Sequence, residues 1–320
     1  MNKKLLSLGA LILGVATFAS CTNTNYKVGF NENWLLDTIA PATDGATETL
    51  KYTVEFEKGM NADNEFRSVS YGNGTYTTVL KAERSEDGNE LLYRYTTTLE
   101  IPVSYKHFAT GGELSEKDVV KAEVLFHGKT NGLKPISSTK TIISHSPTTA
   151  DQPQSLEGCY GYYNYTVTTV YNDDMSGKST TIDHTKENKE NTVSFKPANE
   201  DYTTLDNEYL LLALRGISKL GSQKFNVFNN SWKSSQLVAL TASATKSDEF
   251  EFNGTKRTVS FTPVTLKLDV KNSGSEQTVW IAETTDITNN VNRNVILYME
   301  MPIYYSYGTL QYKLTEAQYM

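Results

Sequence analysis

Cysteine is nearly absent from this chain. Cys21 and Cys159 are the two found in 320 residues, and the four histidines, His107, His127, His145 and His184, are scattered. No cluster stands at metal-ligand spacing, so neither a metal nor a cofactor is expected. Long apolar runs are missing after residue 20, where no stretch approaches the ~18 residues of a membrane-spanning helix. Positive charge is short as well: 30 Lys and Arg face 37 Asp and Glu, for a formal charge of −7. That disfavours nucleic acid, and anionic lipid surfaces, as partners of the bulk domain.

Catalytic patterns are lacking too. No serine lies in a Gly-x-Ser-x-Gly elbow. Gly177-Lys178-Ser179-Thr180 mimics the end of a phosphate loop, but Asn172 stands where the first glycine is needed, and a hairpin turn explains the run. Gly158-Cys159-Tyr160-Gly161 has no histidine pattern beside it. Asp173, Asp174 and Ser176 lack calcium-loop spacing, and Glu249 and Glu251 share a solvated strand face. An enzyme is therefore not expected.

What is present begins with an export signal. Lys3 and Lys4 precede an uncharged apolar run at 5–18, too short for a spanning helix. Phe18-Ala19-Ser20-Cys21 resembles a lipobox, with Phe18 in place of the usual leucine. Acylation of Cys21 would anchor the chain to a membrane of the bacterial envelope through two or more lipid chains. The alternative is plain cleavage after Ala19, which leaves Cys21 a free thiol. If Cys21 is acylated, Cys159 has no disulfide partner and stability must come from packing. Residues 1–20 carry two lysines and no acid, so the mature charge would be about −9. The expected division is a signal peptide at 1–20, a short tether at 21–27 and an all-β domain at 28–320.

Period-two alternation dominates that domain. Leu50, Tyr52, Val54 and Phe56 share one strand face; Leu91, Tyr93, Tyr95, Thr97, Leu99, Ile101, Val103 and Tyr105 share another. The second run, at ~3.3 Å per residue, is far longer than an average strand and suits a large curved sheet. Pro102 within it cannot donate to a ladder, which predicts an edge, bulge or bend. Further strands are predicted at 76–83, 120–126, 140–144, 163–171, 180–184, 225–228, 236–241, 250–252, 255–261, 265–270, 278–283 and 294–307. Residues 186–190 read as a solvated turn. One or two helical turns are expected at 31–36, and a helix over 205–220, capped by Asp206 and ended by Gly216 or Gly221.

The chain also echoes itself. Leu99-Glu100-Ile101-Pro102-Val103 meets Met299-Glu300-Met301-Pro302-Ile303 at an offset of 200, and Thr78-Val79, Ala82-Glu83 and Leu114-Ser115-Glu116 recur at the same offset. Two related β-layers, 28–118 and 226–318, with 119–225 between them, would account for this; chance likeness between Thr- and Tyr-rich strands is the competing account.

Several motifs resemble an uncharacterised family of bacterial envelope lipoprotein domains. They are Gly132-Leu133-Lys134-Pro135-Ile136-Ser137-Ser138, Leu211-Leu212-Ala213-Leu214-Arg215, Phe225-Asn226-Val227-Phe228, Gly254-Thr255, Thr278-Val279-Trp280 and Gly308-Thr309-Leu310-Gln311-Tyr312. Asn253 departs from the family's usual alanine. The resemblance spans most of 47–315 and implies a half-open β-barrel with one or two covering helices, like that of the lipoprotein carriers LolA and LppX. It supplies no catalytic residues.

The expected fold is thus mainly β: a large curved antiparallel sheet or half-open barrel with one or two short helices. Its candidate lining for a lipid or other apolar ligand is Tyr93, Tyr95, Leu99, Ile101 and Val103, with Leu297, Met299, Met301 and Ile303 opposite; a dry closed core is the competing outcome. A second expectation is an envelope scaffold or adhesion module that binds protein or glycan through Tyr160, Tyr162, Tyr163 and Tyr165, or Tyr304, Tyr305 and Tyr307.

Overall fold

A computed structural model describes residues 27–30, 45, 47–128, 132–217, 219–268, 276–283, 294–303 and 306–319. The export signal, Cys21 and the helical turns expected at 31–36 lie outside these residues. The described chain is mainly β, with seventeen strands in one sheet.

The seam of that sheet is β1 (Thr47–Lys58). On one side it pairs with β3 (Gly74–Arg84), and the chain continues as an up-and-down meander through β4 (Leu91–His107), β5 (Gly112–His127), β6 (Pro135–Pro147), β7 (Tyr160–Tyr171), β8 (Gly177–Asp183) and β9 (Lys189–Phe195). On the other side β1 pairs with the last strand, β17 (Gly308–Tyr319), and the sheet runs back through β16 (Ile296–Ile303), β15 (Glu276–Ala282), β14 (Thr255–Leu268), β12 (Ser234–Ala242) and β11 (Gln223–Asn229) to β10 (Thr204–Asp206). Only β10 and β11 pair in parallel among the described residues. β2 (Arg67–Tyr71) lies end to end with β3 along β4, and β13 (Lys246–Phe252) lies end to end with β12 along β14.

Both end-to-end breaks fall opposite a proline. Pro102 of β4 faces the gap between β2 and β3, where Gly72 still donates its N–H to the Pro102 carbonyl at 2.9 Å. Pro263 of β14 faces the gap between β12 and β13, where Ser243 donates to the Pro263 carbonyl at 2.8 Å. In an antiparallel strand a residue's N–H and C=O point to the same neighbour, so a proline leaves one ladder bond unmade on that side. The neighbouring chain changes strand where that bond is missing. For the same reason the two strands expected at 255–261 and 265–270 are one, continuous through Pro263.

The sheet curls around a helix. Asp206 ends β10, and its Oδ1 accepts the Glu208 N–H at 2.8 Å, starting a 3-10 turn at Asn207–Tyr209 that leads into α1 (Leu210–Arg215). Gly216 ends it by donating to the Ala213 carbonyl at 3.0 Å. The helix is shorter than the 205–220 predicted, because Leu205 and Asp206 are held in the parallel pair with β11. Leu210, Leu212, Ala213, Leu214 and Arg215 are buried and Leu211 is half-buried, so the sheet covers most of the helix surface. One apolar cluster runs from β1 round to β5, across α1, and on to β11 and β17.

Two further expectations change. The turn at 186–190 is shorter than predicted, since Lys189 opens β9. The run at 294–307 is not one strand, since β16 stops at Ile303 and β17 starts at Gly308. The two members of the internal echo are three-strand meanders, β3–β4–β5 and β15–β16–β17, flanking β1, but they pair differently: Thr78 faces Thr97 whereas Thr278 faces Glu300, and Pro102 faces Lys117 whereas Pro302 faces Thr309.

Gly177 shows how closely the β7–β8–β9 margin is built. A β-carbon there would lie 2.2 Å from the Val170 carbonyl oxygen and 2.6 Å from the Phe195 ring. Gly177→Ala is expected to force these strands apart and lower stability by ~1–3 kcal/mol, as overpacking does. Urea unfolding followed by far-UV circular dichroism measures it, and an unchanged midpoint would contradict the close packing.

Candidate functional site

The pleat carries one row of side chains across the concave face. Tyr76 of β3 faces Leu99 of β4, Leu99 faces Val120 of β5, Val120 faces Ile142 of β6 and Ile142 faces Tyr165 of β7. The next row is Thr97, Ala122, Lys140 and Val167. Period two puts the same parity of each strand on this face, so Lys140, Ile142 and Ser144 all point inward along β6.

Over these rows lies a cleft of two lobes. The wide lobe, about 930 Å³, is lined by Tyr71, Leu99, Ile101, Val120, Ile142, Ile303 and Leu310, with Asp118, Lys140, Ser144 and Ser146 among them and Tyr163, Tyr165 and Trp232 along its wall. The narrow lobe, about 290 Å³, is lined by Tyr76, Leu210, Leu211, Met299, Met301 and Tyr312, with Thr97, Asn207, Glu208 and Gln277. Leu99, Val120 and Lys140 line both and form the waist between them. The wide lobe is within the ~300–1,000 Å³ range of small-molecule sites, which are mostly apolar with few polar groups.

The waist holds an ion pair. Lys140 Nζ donates to Glu208 Oε1 at 2.9 Å, and the two side chains are 13% and 8% exposed. Asn207 Nδ2 donates to the same oxygen at 3.1 Å. Burial alone would lower the Lys140 pKa, but the Glu208 carboxylate and its hydrogen bond more than offset this, so the ammonium titrates above its ordinary range. Behind the pair sits Asp206, fully buried, with burial and the neighbouring Glu208 charge pushing its pKa up to about 6.

At the far end of the wide lobe, Asp118 Oδ1 accepts the His145 N–H at 2.9 Å and lies 3.0 Å from His145 Nδ1. Burial raises the Asp118 pKa despite these contacts. Beyond it Arg67 is buried, bonded to the Tyr307 hydroxyl, to Thr148 Oγ1 at 3.1 Å and to the Cys159 carbonyl at 3.4 Å. Cys159 is fully buried, and burial pushes its thiol pKa up, the opposite of what a reactive thiolate requires.

Of the expected lining, Leu99, Ile101, Met299, Met301 and Ile303 border the cleft. Tyr93, Tyr95, Val103 and Leu297 are buried and border neither lobe. Of the first expected aromatic patch, Tyr163 and Tyr165 line the wide lobe while Tyr160 and Tyr162 pack on the His145 ring at 5.4 and 5.0 Å; of the alternative patch, Tyr307 is buried. Tyr304 and Tyr305 lie outside the described residues. Trp232, 57% exposed in the turn after β11, and Tyr163, 47% exposed, stand on the rim.

Sequence reading did not single out Lys140, Ile142, Glu208 or Trp232. Lys140 had a signal, since it shares parity with Ile142 on a strand and so points toward whatever Ile142 covers. Among the described residues no group of three or more His, Cys, Asp or Glu could hold a metal ion, and no helix is long and apolar enough to cross a membrane.

No protein-family profile and no curated protein matches the chain. Among solved structures it is similar to a β-barrel-like protein of domain of unknown function DUF1849 from Brucella abortus, at 10% identity and a TM-score of 0.47, with 87% of this chain and 100% of that one covered.

Proposed function

We propose that this chain is a membrane-anchored envelope lipoprotein that holds a lipid or other apolar ligand in the cleft on its concave face and performs no catalysis. The observation that carries the reading is the two-lobed cleft, whose wide part of about 930 Å³ is floored by Leu99, Ile101, Ile142, Ile303 and Leu310. Water in such a space gains little from its walls, whereas an apolar chain removes ~25 cal/mol per Å² of apolar surface from water. The long curved strands and the enclosed helix support a carrier-like half-barrel. Lys3, Lys4, the apolar run and Cys21 support export and acylation.

The test uses the full chain with Cys21→Ser, which removes the acylation site. Native mass spectrometry followed by organic extraction is expected to find lipid at near-unit stoichiometry. Leu99→Glu with Ile303→Glu places two charges on half-buried positions of the cleft wall, and is expected to abolish bound lipid while far-UV circular dichroism stays unchanged. A clean apo mass with no uptake of offered lipid would sink the proposal.

A further inference from the structure

Two ion pairs flank α1, and they differ in one respect. Arg215 and Glu48 are sealed, at 3% and 1% exposure, in the packed core. Lys140 and Glu208 instead form part of the wall of an open cleft, at the waist that both lobes share. A buried ion pair contributes little net stability, because desolvation consumes most of its attraction, and apolar residues of similar volume commonly replace it without loss. Holding α1 on the sheet does not require it, since Leu210, Leu212, Ala213 and Leu214 are already buried there.

The charges around the waist restrict what it can receive. Among the described residues Lys140 is the single cation lining either lobe, whereas Glu208 lines the narrow lobe and Asp118 the wide one, with Asp206 behind them. A net anion would meet the Glu208 carboxylate at the waist and Asp118 farther along the wide lobe, and a net cation would meet the Lys140 ammonium. A head group that carries both signs meets both. Lys140 has three N–H donors and gives one to Glu208, which leaves donors for a phosphate oxygen. Glu208 Oε1 is taken by Lys140 and Asn207, and its second oxygen can accept from an ammonium.

We infer, on the footing of the lipid-holding reading above, that the ligand is a phospholipid with a zwitterionic head group that carries N–H donors. Its phosphate meets Lys140, its ammonium meets Glu208 at the narrow lobe, and its acyl chains lie along Ile101, Ile142, Ile303 and Leu310 in the wide lobe. The 290 Å³ and 930 Å³ volumes divide in that order, the smaller for the head and the larger for the tails.

The experiment offers the Cys21→Ser full chain vesicles of equimolar phosphatidylethanolamine and phosphatidylglycerol, re-isolates the protein and quantifies the extracted lipid. Phosphatidylethanolamine is expected to be enriched about ten-fold, the ratio given by one charge-assisted hydrogen bond. Lys140→Met with Glu208→Met removes both charges while keeping apolar volume at the waist. It is expected to melt cooperatively and to capture the two lipids in equal proportion, losing the preference. Equal capture of both lipids by the unsubstituted chain, or a preference that survives the double substitution, overturns the head-group assignment and leaves the cleft reading standing. Capture of neither lipid overturns both.

Discussion

Replacing Arg215 by alanine is expected to lower the unfolding free energy by ~3–5 kcal/mol. Arg215 Nη1 and Nη2 donate to Glu48 Oε1 and Oε2 at 2.7 and 2.9 Å, Nε donates to the Asn294 carbonyl at 3.1 Å, and Asn294 Nδ2 returns to the Arg215 carbonyl at 2.8 Å. One side chain thus joins the end of α1, the first strand and the segment entering β16. Burial disfavours its charge, and the Glu48 carboxylate more than restores it, so the guanidinium stays ionised. Removing it leaves Glu48 charged among Tyr52, Tyr95 and Tyr319 with no counter-ion. Arg215→Met combined with Glu48→Met is expected to recover most of the loss, because the penalty comes from the orphaned charge and not from the missing pair. Urea midpoints of the two variants at constant m measure the difference. Equal losses in both would mean that the pair itself, with its hydrogen bonds, stabilises the fold.

The all-β character was readable because alternation is a local property. Leu91 to Tyr105 repeats every second position, and the buried set of β4 follows it from Tyr93 to Tyr105. Gly216 was readable as one of two possible helix stops, and Asp206 as a cap, because caps are fixed by neighbouring atoms. The three-residue β10 was not readable, since its strand character comes from Asn226, Val227 and Phe228 across the parallel pair. Nor was the single strand through Pro263, whose missing donor is tolerated only because β12 gives way to β13 beside it.

The cleft was half readable for a related reason. Parity tells which residues share a face, and it put Leu99, Ile101 and Ile303 together. It does not tell which of them another element covers. Tyr93 and Tyr95 have the same parity as Leu99 but join the core packed against α1, so they are enclosed while Leu99 is not. The opposite wall, Ile142 and Tyr163, comes from the segment between the two echoing layers, where inward positions mix Lys140 and Ser144 with apolar residues and the alternation loses contrast.

The same mixing hides Asp206, on which the pH dependence of stability is expected to turn. Its carboxylate is fully buried and accepts from Ser138 Oγ at 2.6 Å, the Tyr171 hydroxyl at 2.5 Å, Asn230 Nδ2 at 3.2 Å and the Glu208 N–H at 2.8 Å. These donors favour the charged form, but burial and the Glu208 charge outweigh them and push the pKa up to about 6 from an ordinary 3.8. A carboxyl whose folded pKa is raised binds its proton more tightly in the folded state. Its contribution is therefore complete below pH ~3.8, declines as pH rises, and is lost once pH has passed ~6. The shift corresponds to roughly 3 kcal/mol across that window. Asp63, Asp87, Asp174 and Asp183 are shifted the other way, so the stability curve of the unsubstituted protein alone would blend opposite slopes. Asp206→Asn isolates the term, because those carboxylates are common to both proteins. The stability of the unsubstituted protein relative to Asp206→Asn is expected to be greater at pH 4 than at pH 7.5 by roughly 2.5 kcal/mol, the remainder of the window lying below pH 4. Urea unfolding of both proteins across that range checks it. A constant gap between them would mean that Asp206 does not change protonation there, and that its four donors hold it ionised against burial.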